Sequence, residues 1–484
     1  MAGEAKGTIA AGHQLTAEAG AEMLRNGGNA LDAAIAALAM ACVCEPVLAS
    51  PGGGGFAIIR SGRSGATTLL DFFPQTPRQQ RGDIADGFHS ITADFGSATQ
   101  VFHIGPATVA SPGFFAGLTA LREAGATLPF ADLFAPAIHA ATSGHRITAY
   151  QYYLSTVVRP ILTATQASAD LFAPSGDLPR VGSVFQNPGL AEMFEEWARG
   201  GWLHSGIAGQ ILQEQKRGGH LRRADLEGYE VVAREPLRIA LDGASVFLNP
   251  PPAACGALIR YALTHLERCD MPAMATALQL TDEARRLVRG DLARLLDRPM
   301  RQKGTTHIST VDAQGNACSV TVSNGTGNGE IVAGYGFMLN NILGEEDVNP
   351  HGSQDWPTNV RLASMMCPTL IETKDGNLIA LGSGGSSRIR SAIFQVVARL
   401  CLGQAGLKEA VRAPRLHIEN GHLDVEAIEA GIDIEELKSL FPDHRIWAEK
   451  NMFFGGVHAV SADSRGYFSS IGDDRREGAA VIVD

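Results

Sequence analysis

A threonine hydroxyl is a weak nucleophile and needs a base beside it, a task that a free α-amine on the same residue can perform. Gly304-Thr305-Thr306-His307 offers that arrangement at the head of a β-rich stretch, just behind the basic linker Arg301-Gln302-Lys303. The amine of Thr305 exists only if the Gly304–Thr305 bond is cut. An ordinary α-amino group titrates at about 7.7–8.0, close to working pH. Read alone, the tetrapeptide is also a plain strand start. Gly382-Ser383-Gly384-Gly385-Ser386-Ser387 could hold an anion on backbone N–H groups, or simply turn a strand into a helix. Other chemistries lack their signatures. There is no Gly-x-Ser-x-Gly elbow and no His-Glu-x-x-His, and Gly52–Gly55 lacks the Lys-Ser/Thr of a phosphate loop.

The elements that would position these residues follow from pattern. Residues 15–26 read as a helix stopped by Gly27-Gly28, with Asn29 capping a second helix that begins at Ala30 and is apolar almost all round. Phe56 to Arg60 reads as a strand, 112–145 and 187–228 as helical, and Leu237 to Asn249 as strands closed by three prolines. Residues 256–298 look helical again. Then His307–Asp312 and Ala317–Ser323 form a hairpin through Ala313-Gln-Gly-Asn316. Strands are expected at 336–340, 369–373, 378–381, 457–461 and 480–483, a helix at 387–402, and a hairpin turn at 419–422. Blocks of helices and strands, rather than alternating βαβ units, suit a layered sandwich.

Composition narrows the partners. The 484 residues are 45% hydrophobic and 19% charged, ordinary for a globular chain, and the formal net charge is −11. With no basic block, neither nucleic acid nor an anionic membrane is an expected partner. The seven cysteines form no Cys-x-x-Cys pair and suggest neither a disulfide framework nor a zinc site. His417 and His422 flank the hairpin turn without a third ligand at suitable spacing, and no metal is expected. The opening residues carry no signal-peptide pattern, so a cytoplasmic location is expected.

Several distant segments together resemble the γ-glutamyltransferase family, nearly end to end. They are Glu18 to Leu24 with Gly27 to Ala34, Gly52 to Phe56, Gly218-Gly219-His220-Leu221 with Tyr229, and Asn249-Pro-Pro-Pro252. The most specific is Thr305-Thr-His-Ile-Ser-Thr-Val-Asp312 with Gly315-Asn316-Ala317, followed by Met366-Cys-Pro-Thr369 and Gly382 to Gly385. The resemblance implies an α+β fold, the four-layer αββα sandwich of N-terminal-nucleophile hydrolases. It implies self-cleavage into a large subunit (1–304) and a small subunit (305–484) that together form one interleaved catalytic domain. It makes Thr305 the acylated nucleophile and Ser323 an assisting hydroxyl. The oxyanion would rest on backbone N–H groups around Gly384, Gly385 and Ser386. No cofactor is implied. Assembly of processed heterodimers into a homo-oligomer is left open.

The departures from the family cluster where a glutamyl head would sit. Phe73 stands in place of the Arg that pairs with the substrate carboxylate. Ser364 is kept, but Met365 replaces its companion serine. Gly325 replaces an Asn, and Asn341 is followed by Ile342 with Glu345 in place of an Asp. Phe cannot reproduce a bidentate Arg–carboxylate contact. Arg78, Arg361 and Arg388 are the substitutes nearest in sequence. A short linker between Asn249 and Thr305 implies a reshaped entrance. The expected activity is therefore amide hydrolysis or acyl transfer through acyl-Thr305, on a small amide or acyl substrate without the standard head. A true γ-glutamyl hydrolase or transpeptidase is the alternative, and an uncleaved, non-catalytic binding protein is the alternative of another class.

Overall fold

The computed structural model describes residues 5–82, 87–94, 99–287, 304–345, 356–427 and 434–484. β1 (Gly7–Ala11) leads through α1 (Gln14–Arg25) and α2 (Ala30–Cys44) to β2 (Gly54–Arg60) and β3 (Thr67–Phe72). α3 (Phe114–Glu123), α4 (Phe130–Ser143) and α5 (Ala149–Val157) follow, and the short β4 (Val232–Arg234) returns the chain to the sheet. β5 (Leu237–Leu241) and β6 (Ala244–Leu248) precede α6 (Cys255–Thr264) and α7 (Met271–Leu287). Next come β7 (Gly304–Asp312), β8 (Ala317–Gly325), β9 (Thr369–Glu372), β10 (Leu378–Gly384) and α8 (Arg388–Cys401). β11 (Gly456–Ala462), β12 (Phe468–Ile471) and β13 (Ala479–Val483) close the chain.

Seven strands form one sheet in the order β13-β1-β7-β8-β2-β3-β4, and six form a second in the order β12-β11-β10-β9-β6-β5. β7 packs across β10 and β11, so the sheets lie face to face. α1 and α2 cover the outer face of the first sheet, and α6 and α8 cover that of the second. This is the expected four-layer αββα sandwich. Each sheet takes strands from both sides of the Gly304–Thr305 bond: β7 and β8 sit between β1 and β2, and β6 pairs with β9.

Local chemistry explains the layers. All fifteen residues of α2 are buried, and its many alanines let neighbouring backbones approach closely. Its start is fixed by a capping box, in which Asn29 accepts from the Leu31 and Asp32 amides and Asp32 accepts from the Asn29 amide. Asp312, the last residue of β7, accepts from the Ala30 amide at 2.9 Å, placing a carboxylate at the N-terminus of α2 and tying the hairpin to it. The glycine run has a steric reason. A Cβ at Gly53 would strike the Ser323 carbonyl, and one at Gly55 the Thr321 carbonyl, so bare backbone lets this segment lie against β8.

The fold departs from expectation in a few places. Residues 336–340 form no strand and contribute only the isolated bridges of Met338 to Ile331 and of Leu339 to Gly52. The apolar residues there pack as loop wall rather than pairing along their length. The helical stretch from 256 breaks at 265–270, and its expected end at 298 lies outside the described residues. The block 187–228 is three helices, Pro188–Gly200, Gly206–Gln215 and Arg223–Glu227. β1 is too short and glycine-led to declare itself from pattern alone.

Candidate active site

The pairing of β7 with β8 sets the geometry. Thr305 lies opposite Ser323 and Gly304 opposite Gly325, so the register slips by one residue across the Gly304–Thr305 bond. Such an irregularity bends a strand and re-aims its side chains. The slip brings the Ser323 hydroxyl to the Gly304 carbonyl, to which it donates at 2.6 Å, while the Gly325 amide donates to the same hydroxyl at 3.1 Å. Position 304 must be glycine, because a Cβ there would meet the Val47 carbonyl and would stand 2.7 Å from the Gly325 carbonyl. Thr305 itself is only 4% exposed.

From the second sheet, the end of β10 closes on the nucleophile. A Cβ at Gly384 would collide with the Thr305 carbonyl oxygen, so glycine is again required. Gly385 has φ +125° and Ser386 φ +57° before α8 begins. A serine in the left-handed region is strained, and strain of this kind concentrates at functional turns. Thr305, Ser323, Gly384 and Gly385 are thus gathered in one place, with Ser386 next along the turn.

Alternate residues of β7 face opposite layers. His307 points into the space between the sheets, its ring against Gly382 and bonded to the Thr321 and Ser309 hydroxyls. Burial drives its pKa well below 6.5, so it is neutral. Thr306 points toward α2 and donates to Glu45 at 2.7 Å, and Thr16 donates to the other oxygen of the same carboxyl. Glu45 is fully buried, and desolvation raises its pKa to about 7 against the opposing effect of these two hydroxyls.

The head-group residues do not form one cluster. Asn341 and Glu345 converge on Gly325, where a Cβ would stand 2.6 Å from Glu345 Oε1, and Asn341 also accepts from the Thr326 amide at 2.9 Å. Phe73 is buried and stacks on Phe56 at 5.5 Å in the core. Ser364 accepts from the Met366 amide, and Met365 packs on Ala254 and Leu258. Of the three arginines suggested by sequence, Arg78 donates to the Gly228 carbonyl. Arg361 bonds Phe73 O and the Tyr229 hydroxyl and sits 3.7 Å from Asp71.

Only Arg388 lines the cleft beside the scissile bond. That cleft is partly open to solvent. Gly304, Gly385 and Thr326 border it. Val157 and Val158 at the end of α5, Val47 and Leu48 after α2, and Met452 and Phe453 opposite supply apolar walls. Arg476 also lines it, and sequence reading missed this residue. It sits in a C-terminal turn with no local signature, and its neighbour Arg475 is spent on Glu426 and Asp473. Glu45 had one readable signal, an acid closing a helix that is apolar from Ala33 to Cys44. His103 is bonded to the Gly344 carbonyl and stacked on Phe88, while its neighbour Phe102 lines the cleft.

Two antiparallel sheets between helical layers, with a threonine heading a central strand, define an N-terminal-nucleophile hydrolase. Solved structures carry the same architecture: cephalosporin acylase from Bacillus halodurans superposes with a TM-score of 0.80 over 99% of this chain and 96% of its own, at 22% identity. The gamma-glutamyltranspeptidase family model matches residues 16–301 and 289–483. The chain is 26% identical to the glutathione hydrolase proenzyme of Bacillus subtilis (strain 168), over 99% of this chain and 92% of that one. It is 27% identical to the acylase ACY 1 proenzyme of Pseudomonas sp. (strain V22), over 99% and 94%. The chain belongs to the gamma-glutamyltranspeptidase family.

Proposed function

We propose that this chain cleaves itself between Gly304 and Thr305, and that the freed Thr305 then acts as an amidohydrolase or acyltransferase on a small substrate lacking the standard glutamyl head. The observation that carries this reading is the 2.6 Å hydrogen bond from Ser323 to the Gly304 carbonyl. It polarises the carbonyl that the neighbouring Thr305 hydroxyl must attack. Addition of Thr305 Oγ to that carbon, with transfer of its proton to the Thr305 nitrogen, exchanges the peptide bond for an ester. Water then splits the ester, leaving a carboxylate on Gly304 and a free amine on Thr305. The same amine takes the hydroxyl proton when Thr305 attacks a substrate, and donors such as Ser323 and the Gly384–Ser386 turn receive the developing charge. The products would be subunits 1–304 and 305–484.

The shift in recognition is supported by Phe73, whose ring is packed against Phe56 where the family would present a guanidinium. A γ-glutamyl reading draws on Asn341 and Glu345, which stand beside Gly325 and could face an ammonium group. Intact mass of the wild type beside Thr305→Ala tests the first part. Two fragments meeting at residues 304 and 305 in the wild type, and a whole mutant chain, are expected; two whole chains would overturn it. Kinetics on γ-glutamyl-p-nitroanilide test the second, since efficient turnover would refute the altered head group.

A further inference from the structure

Ser386 holds a left-handed backbone, φ +57°, between Gly385 at φ +125° and the start of α8. A residue with a side chain keeps such a conformation only where its surroundings over-determine it. Ser387 stands at the N-cap of α8, where a serine usually accepts from a helix amide, yet its hydroxyl makes no such bond. It donates instead to Glu419 Oε2 at 3.2 Å. Arg388 Nη1 donates to the same hydroxyl at 3.0 Å and lies 3.9 Å from Glu419 Oε2. One carboxylate thus takes hold of both residues that follow the strained one.

Glu419 is itself firmly placed. It ends the strand Leu416–Glu419, and its side chain is only 16% exposed. A carboxylate only accepts, so the His417 ring donates to it through Nε2 at 3.4 Å and receives the Ser391 hydroxyl on Nδ1 at 2.8 Å. Burial keeps that ring neutral, with its pKa lowered to about 4. Arg285 Nη1 stands 3.8 Å from the other carboxylate oxygen. Burial opposes ionisation of Glu419, but the His417 hydrogen bond and the Arg388 and Arg390 charges hold its pKa well below 4.5. Arg390 also donates to the Ile418 carbonyl at 2.7 Å, so the strand end and the first turns of α8 are joined at several points. The turn they support lies against the nucleophile, since a Cβ on Gly384 would stand 2.3 Å from the Thr305 carbonyl oxygen.

We propose that Glu419 is a positioning residue that holds the Gly384–Ser386 turn against Thr305 and, through that turn, sets the rate of acyl transfer. This rests on the reading above, in which the turn receives the developing charge. Gly385 and Arg388 line the cleft and Glu419 does not, so its action passes through Ser387 and Arg388 to the turn. Backbone donors work only where they are aimed, and a misplacement of about 1 Å costs on the order of 10²-fold in rate. Substrate binding draws on other walls of the cleft, so the effect belongs to kcat rather than to KM.

The test uses the processed enzyme with p-nitrophenyl butyrate, an activated ester whose acyl chain carries no head group. Glu419→Ala is expected to lower kcat about 10²-fold, with KM changed by less than about threefold. Glu419→Gln keeps an oxygen for Ser387 but not the charge, and should recover part of that loss. The decisive comparison relieves the strain. Glycine adopts the left-handed backbone freely, so the kcat loss caused by Glu419→Ala should shrink at least about fivefold in a Ser386→Gly background. A general loss of stability would carry over undiminished. Unchanged kcat in Glu419→Ala, a loss confined to KM, or the same kcat loss in both backgrounds would overturn the proposal. Should Glu419→Ala fail to fold, Glu419→Gln carries the same comparison between the two backgrounds. Failure of the broader reading looks different: the wild-type chain stays whole by mass, or its 305–484 subunit gains no butyryl group from the ester.

Discussion

The neighbourhood of the scissile bond and the neighbourhood of Phe73 were expected to serve one substrate, yet they are built from different material. The first is made of backbone and one hydroxyl: Gly304, the register slip, Ser323 and Gly384. The second is made of large side chains that satisfy one another. Asp71 is fully buried and bonded to Arg234 at 2.8 Å, Arg361 lies over the Tyr229 ring at 4.6 Å, and Phe73 stacks on Phe56. Backbone geometry tolerates little change without loss of the sheet pairing itself. A side-chain pocket can close by filling and pairing, at little cost to the rest of the fold. The backbone that sets up the chemistry and the side chains expected to recognise the substrate are thus held by different means, in separate places.

The sharpest break of this comparison is to put the family's residue back. Phe73→Arg places a guanidinium against Phe56, next to the already committed Arg361. An unpaired buried charge of this kind costs about 3–5 kcal/mol, and a thermal-denaturation series should show that loss with no gain in γ-glutamyl-p-nitroanilide turnover. Retained stability together with new γ-glutamyl activity would mean that the pocket is open after all. The scissile side is probed by Ser323→Ala. Removing a donor from a developing oxyanion costs about 3–4 kcal/mol, so self-cleavage followed by mass should slow by about 10²–10³-fold while the fold persists. Cleavage at the wild-type rate would remove Ser323 from the chemistry.

Much of this was legible in the sequence. The β7–β8 hairpin, the capped and almost wholly apolar α2 and the glycine turn before α8 each carry strong local signals, and the hairpin and the turn hold Thr305, Ser323 and Gly384. What pattern could not supply was the fate of charges. Arg361 is near Phe73 in space as well as by inference, yet Asp71 and Tyr229 consume it. Arg476 lies 171 residues beyond Thr305 and reaches the cleft only because its turn is anchored between β12 and β13 by the buried Asp473–Arg415 pair. Such long-range satisfaction has no periodicity to read. Strand 336–340 failed for a related reason, since its apolar residues serve a loop wall through isolated bridges.

Glu45 offers the finest test of how the backbone side is held. Its carboxyl fastens Thr306, the residue after the nucleophile, to Thr16 of α1, and Gly12 brings the neutral His458 ring nearby. Burial raises its pKa to about 7 from an ordinary 4.5. A raised folded-state value means that the carboxyl's contribution is fully present below the unfolded pKa and is lost as pH climbs through the folded one. The buried histidines His13, His145 and His458, held at about 4 by desolvation, act oppositely and lose stability on acidification. Comparing Glu45→Gln with wild type cancels their effect. The variant should gain on the wild type between pH 5 and pH 8 by up to about 3 kcal/mol, at 1.36 kcal/mol per pKa unit, read as converging or crossing urea-unfolding midpoints. A difference that stays flat across that window would mean that Glu45 ionises freely, and that the tie from α1 to Thr306 does not depend on a protonated carboxyl.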